Sequence, residues 1–109
     1  MKTEAGYELQ PYEVSGQELR IHWNVEQKTR EMDDEIIVYW QADEALCNTA
    51  DDRSILIQKI IGSVYTVADE IATINNKDIK PDQYAKYQTF RTKAKELADS
   101  WLNIRKLGA

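Results

Sequence analysis

A chain of 109 residues with 42% hydrophobic and 30% charged side chains suits one folded domain with a core of its own, and is too short for two ordinary ones. A net charge of -5 argues against a general nucleic-acid binder, which needs a basic surface to neutralise phosphates. The single cysteine, Cys47, allows neither an intramolecular disulfide nor a thiolate metal cluster, and fits a reducing compartment.

The first half, residues 1–48, reads as strands. YELQPYEV places Tyr7 and Leu9 on one parity and Tyr12 and Val14 on the other, with Pro11 at the change, as in an edge strand with a kink or bulge. Ser15-Gly16 signals a turn. LRIHWNVE then alternates, with Leu19, Ile21, Trp23 and Val25 on one face and Arg20, His22, Asn24 and Glu26 on the other. That pattern predicts an exposed strand position for His22, the only histidine. EQKTREMDDE is polar and has no Gly or Pro, so it is either a mobile hairpin tip or two strands running long into solution. EIIVYWQA follows, with Ile36, Val38, Trp40 and Ala42 on one face and Ile37 and Tyr39 on the other. A strand apolar on both sides is expected to be covered by its own domain on one and by a partner on the other.

The second half, residues 49–109, changes period. Ile57, Ile60, Val64, Val67, Ile71 and Ile74 recur at helical spacing, which predicts one helix over residues 52–74, with Thr49, Asp51 and Asp52 offering N-cap oxygens. NNKDIK ends it, by an asparagine in the left-handed cap position. Pro81 opens a second helix, in which Tyr87, Phe90, Ala94, Leu97, Trp101 and Ile104 repeat the spacing, and Gly108 closes it. A short connection between two long helices predicts an antiparallel αα-hairpin. The isoleucine and valine seam is expected first as the inside of that hairpin, since the run barely reaches coiled-coil length, with an oligomer contact as the alternative.

Few residues here carry chemistry. Asp33-Asp34-Glu35, Asp43-Glu44 and Asp51-Asp52 lack the ligand spacing of a calcium or magnesium loop and read as a hairpin tip, a connector and a helix cap. Cys47 needs a base to act as a nucleophile, and nothing requires its one histidine candidate, His22, to meet it; a partly buried, inert thiol is expected. The glycines Gly6, Gly16, Gly62 and Gly108 are too scattered for a phosphate-binding loop. Lys86, Arg91, Lys93, Lys95, Arg105 and Lys106 make the last helix basic, but Glu96 and Asp99 interrupt them. No catalytic residue, metal site or cofactor is expected. Surface aromatics remain, and tyrosine and tryptophan are the usual anchors of protein interfaces. Ile37, Tyr39 and Tyr65 are the candidate partner-interface residues.

Asp69-Glu70-Ile71-Ala72 before a polar loop, followed by a helix bearing Tyr84, Tyr87, Phe90, Arg91, Ala94 and Lys95, resembles the helical part of small accessory proteins of bacteriophage tail and prophage clusters. The resemblance covers residues 52–99, under half the chain, and transfers no functional residue. It implies a tail-assembly or virion component that docks to other proteins.

The expected fold is a single α+β domain, a three-stranded antiparallel meander followed by a long αα-hairpin. The expected function is non-enzymatic, structural or assembly work through protein–protein contacts with itself or with other virion proteins, as a homo-oligomer and without nucleic acid or membrane. A second reading is a small acidic regulatory binder or inhibitor of a host protein. MKTEAGYELQ has no apolar signal core, and no stretch approaches the ~18 apolar residues of a membrane span, so the protein is expected in the cytoplasm when made, with later incorporation into a particle.

Overall fold

The computed structural model describes residues 1–108. The chain is α+β and divides into two compact units, Met1–Thr49 and the part from Ala50 onward.

In the first unit, β1 (Lys2–Ala5), β2 (Tyr12–Ser15), β3 (Glu18–Met32) and β4 (Glu35–Asn48) form a four-stranded antiparallel sheet in the order β1-β4-β3-β2. The expected meander is present as β2-β3-β4, and β1 is an addition on the far side of β4. The segment expected as one kinked strand is instead split. Its Tyr7–Pro11 part leaves the sheet, Leu9 is buried, and the Pro11 carbonyl accepts from the His22 amide at 2.8 Å. Gly16 takes the tight turn between β2 and β3 with φ 62°, a region in which side chains with a Cβ are strained.

Two backbone features shape β3 and β4. Asn24, with φ 53°, lies in a bulge between Trp23 and Glu26, where β3 carries an extra residue against β4. The bulge resets the parity, so Leu19, Ile21 and Trp23 are buried while Val25 is exposed, although the sequence alternation placed all four on one face. At the far end Met32 pairs with Glu35 across Asp33 and Asp34, whose φ values of 51° and 63° define a type I′ two-residue turn. Aspartate tolerates this left-handed backbone, so the hairpin closes without glycine. The polar stretch is therefore the two long strands of the two alternatives.

In the second unit, α1 (Arg53–Gly62), α2 (Val67–Asn75) and α3 (Pro81–Gly108) replace the expected two helices. Asp52 caps α1, its carboxylate accepting from the Ile55 amide at 2.9 Å. The helix expected to run to residue 74 stops at Gly62. Thr66 and Asp69 then form a reciprocal capping box that starts α2 in a new direction. α2 ends on Asn76 with φ -99°, not on the left-handed residue expected there. Pro81 opens α3 as expected, and 28 residues make it about 42 Å long.

α1 packs antiparallel to α3: Arg53 meets Asp99 at 2.7 Å, and Arg105 donates to the Asp51 carbonyl at 2.9 Å. Leu56, Ile60 and Ile61 from α1 are buried, as are Tyr87, Ala94, Ala98 and Trp101 from α3. Branched side chains on one helix and alanines on the other let the axes approach closely. The seam read from sequence is thus divided. Ile60 is inside, whereas Val64, Val67, Ile71 and Ile74 are exposed.

Candidate protein-docking surfaces

β3 and β4 are buried at one end and bare at the other. At the first end Leu19, Ile21, Trp23, Ala45 and Cys47 are buried on one face, and His22, Ala42 and Glu44 on the other. Beyond the bulge the same strands continue as a two-stranded ribbon, past the reach of β2, which pairs with residues 18–21, and of β1, which pairs with residues 40–43. On the ribbon Ile36 is 76% exposed, Val38 41% and Ile37 39%. Ile36 and Val38 lie on one face, with Ile37 and Tyr39 on the other. An isolated two-stranded ribbon is marginally stable in water, and exposed apolar side chains on both faces add to that cost.

Tyr39 is half-buried. The Arg30 guanidinium lies over its ring, 4.2 Å from the centroid, and donates to Glu4 on β1 at 3.0 Å. Hydrogen bonding to Tyr39 first, and then to Glu4, holds the Arg30 guanidinium above its ordinary value. Tyr39 thus sits at the root of the ribbon, beneath a cation, while Ile37 is one step further out on the same face.

Tyr65 belongs to the second unit. It is half-buried, edge-on to Tyr87 at 5.1 Å between ring centroids and tilted against Phe90 at 5.8 Å. Its ring is committed to this cluster. The larger apolar exposure of that unit lies on α2, which supplies no buried residue among those described. Val67 is 73% exposed and Ile71 55%, and with Ile74 they form one stripe along α2, while Val64, also exposed, lies in the turn before its cap. α2 is held to α3 by the Tyr87 hydroxyl, which donates to Glu70 at 2.5 Å. Sequence periodicity shows these residues as part of one continuous seam, inside a hairpin or at an oligomer contact, whereas the capping box at Thr66 and Asp69 starts a separate helix that leaves them exposed.

His22 is the largest departure from the sequence reading. It is 2% exposed, and both ring nitrogens face oxygens. Nδ1 is 2.7 Å from the Gln10 carbonyl, and Nε2 is 2.9 Å from the Glu44 carboxylate. With Nδ1–H donating to Gln10, the second contact holds a proton between imidazole and carboxylate, whichever group carries it. The polar face proved to be buried because residues 7–11 leave the sheet and bring the Gln10 carbonyl against it. Glu44 and Asp43 are consequently strand residues of β4 and not a connector. Asp43 accepts from Asn24 at 2.9 Å and pairs with Lys2 at 3.1 Å. Burial acts to raise the Asp43 carboxyl, but the bonds from Asn24 and Lys2 outweigh it and hold it below its ordinary value. Cys47 is buried as expected, on the face of the sheet opposite His22, so the two do not form a nucleophile and base. Among the described residues no three His, Cys, Asp or Glu side chains converge in a way that could hold a metal ion, and no helix is long and apolar enough to cross a membrane.

A cleft of about 640 Å³ in the second unit has an apolar floor that includes Ile57, Ile61 and Tyr87, and Arg91 and Lys95 on its wall. The Arg91 guanidinium is 5.8 Å from the centroid of the Tyr87 ring.

No protein-family model, curated protein or solved structure matches this chain.

Proposed function

We propose that the protein is a non-enzymatic structural or assembly component that works by docking to protein, and that the β3–β4 ribbon is its docking element. The single observation that carries this reading is the exposure of Ile36, Ile37 and Val38 on both faces of a ribbon held in place by a two-residue turn. A chain with Lys28, Arg30 and Glu31 on the neighbouring strand has the means to keep a hairpin tip polar, yet β4 is apolar there. The ring of His22 also supports a non-catalytic role, since both nitrogens are engaged and its side chain is buried. The kind of assembly, the tail region or virion of a phage or prophage, rests on the resemblance in residues 52–99 alone.

The test is a small photo-reactive aliphatic amino acid, bearing a diazirine, in place of Ile36 in the cells that produce the protein. Irradiation is expected to yield a discrete adduct with protein. No protein adduct above the level of a probe at exposed Lys86 would overturn the reading. A single stoichiometric adduct with a host enzyme would instead select the regulatory-binder reading.

A further inference from the structure

We propose that the outer edge of β4 at residues 35–39 pairs antiparallel with the same edge of a second copy of this chain, about a twofold axis at Ile37. This rests on the docking reading above and names the occupant of the ribbon.

The two edges of the ribbon differ in kind. The outer edge strand β3 carries Glu26, Lys28, Arg30 and Glu31, and charge of this sort deters further strand pairing. The other edge strand reads EIIVY, with three consecutive β-branched residues and neither lysine nor proline to block a neighbour. Beyond its bonds to β3, its backbone is open on the outer side from Glu35 to Tyr39, because β1 begins its pairing at Trp40. Where β1 stops, a shallow groove of about 330 Å³ runs past Ala5, Gly6 and Val38. Strand addition to such an edge is a general mode of protein recognition.

The register follows from the limits of the open edge. Asp33-Asp34 closes it at one end and the Ala5–Trp40 pair at the other. Self-pairing centred on Ile37 uses every open residue and displaces neither boundary. On one face it sets each Ile36 against the Val38 of the second copy, making a four-residue apolar cluster. On the other face Ile37 meets its own equivalent, and each Glu35 lies opposite Tyr39 of the second copy. Lys28 pairs with Tyr39 across the hairpin, and Arg30 covers that ring, so each Glu35 approaches two cations of the other copy. The apolar contacts are complementary, each Glu35 adds a second carboxylate to the Arg30–Glu4 and Lys28–Glu26 pairs of the other copy, and the interface is isologous and closes on itself. Two five-residue strands bury less than the ~1,200 Å² typical of a stable complex, so the dimer forms only at high concentration.

The experiment uses the purified full chain carrying the diazirine residue at position 36. Irradiation over a concentration series is expected to give an adduct of twice the chain mass, with the link mapped next to Val38 of the other copy. Amide exchange within residues 35–39 is expected to slow as concentration rises, with little change at residues 26–32 on β3. Val38→Lys, at an exposed position, is expected to keep the far-ultraviolet circular dichroism of the parent and to lower the self-adduct yield by about tenfold or more. Self-adducts mapped elsewhere, or amide exchange at residues 35–39 that does not respond to concentration, would overturn the pairing. If purified chains give no self-adduct while the same probe in cells captures a different protein, the pairing falls and the docking reading stands. If neither gives a protein adduct, both fall.

Discussion

His22 and Glu44 show how much one buried pair can decide. Neither is solvated, and each satisfies the other's polar group across 2.9 Å. Removing one partner of such a pair strands the other in an apolar setting, which costs about 3–5 kcal/mol, whereas replacing both with apolar residues is often close to neutral. His22→Ala is therefore expected to lower unfolding free energy by about 3–5 kcal/mol in a denaturant titration. His22→Leu combined with Glu44→Met should recover most of that loss. A single variant as stable as the parent would mean that the pair contributes little. The sequence could not reveal this pair. Arg20, His22 and Asn24 alternate with apolar residues, which is the pattern of a solvated strand face, and what covers His22 comes from residues 7–11, twelve positions away at the Gln10 contact. The left-handed residue at Asn24, which bends the same strand, likewise has no local signal beyond asparagine's tolerance for that backbone.

Among the elements, the long β3–β4 hairpin was legible from the apolar run at Ile36–Trp40 and the polar stretch before it, although only its length in the structure chose between a mobile tip and extended strands. α3 was legible from Pro81 and its three-four spacing. α2 was not, since Val67, Ile71 and Ile74 continue the period of α1 without interruption. The signals that separate them are local: Gly62 at the end of α1, and Thr66 three residues ahead of Asp69. β1 was missed because Lys2–Ala5 is too short and too polar to read as a strand. With no buried residue of its own among those described, α2 depends on its tie to α3 through Tyr87 and Glu70. Burial first, and then the bond to Glu70, raises the Tyr87 hydroxyl above its ordinary value of 10.0. For an acid whose folded value is raised, the contribution to stability is complete below the unfolded value and is lost as pH climbs from there through the raised folded value. The second unit is thus expected to weaken above about pH 10. Tyr87→Phe should remove that alkaline loss and, at neutral pH, cost about 2 kcal/mol, the usual size for a hydrogen bond to a charged group. Amide exchange along α2 is the readout: faster exchange there than in α1 and α3 is expected, and unchanged exchange in α2 would show that something else holds it.

At the scale of the whole molecule, the chain presents two apolar surfaces to solvent, the ribbon in its first unit and the α2 stripe in its second. In the proposed dimer, short-range apolar and backbone contacts act against the mutual repulsion of a net charge of -5 on each copy. The ribbon has open backbone groups as well as exposed side chains, which α2, with its internal hydrogen bonds, does not offer. That difference is why the proposed self-association is assigned to the β4 edge and not to α2. The most direct measurement is solution mass by light scattering over a wide dilution series, with the parent chain beside Ile36→Lys and, as a control, Ile71→Lys. The account predicts that the parent moves from monomer towards dimer as concentration rises, that Ile36→Lys stays monomeric, and that Ile71→Lys behaves as the parent. A parent that remains monomeric throughout, or a dimer lost in Ile71→Lys and kept in Ile36→Lys, would contradict it.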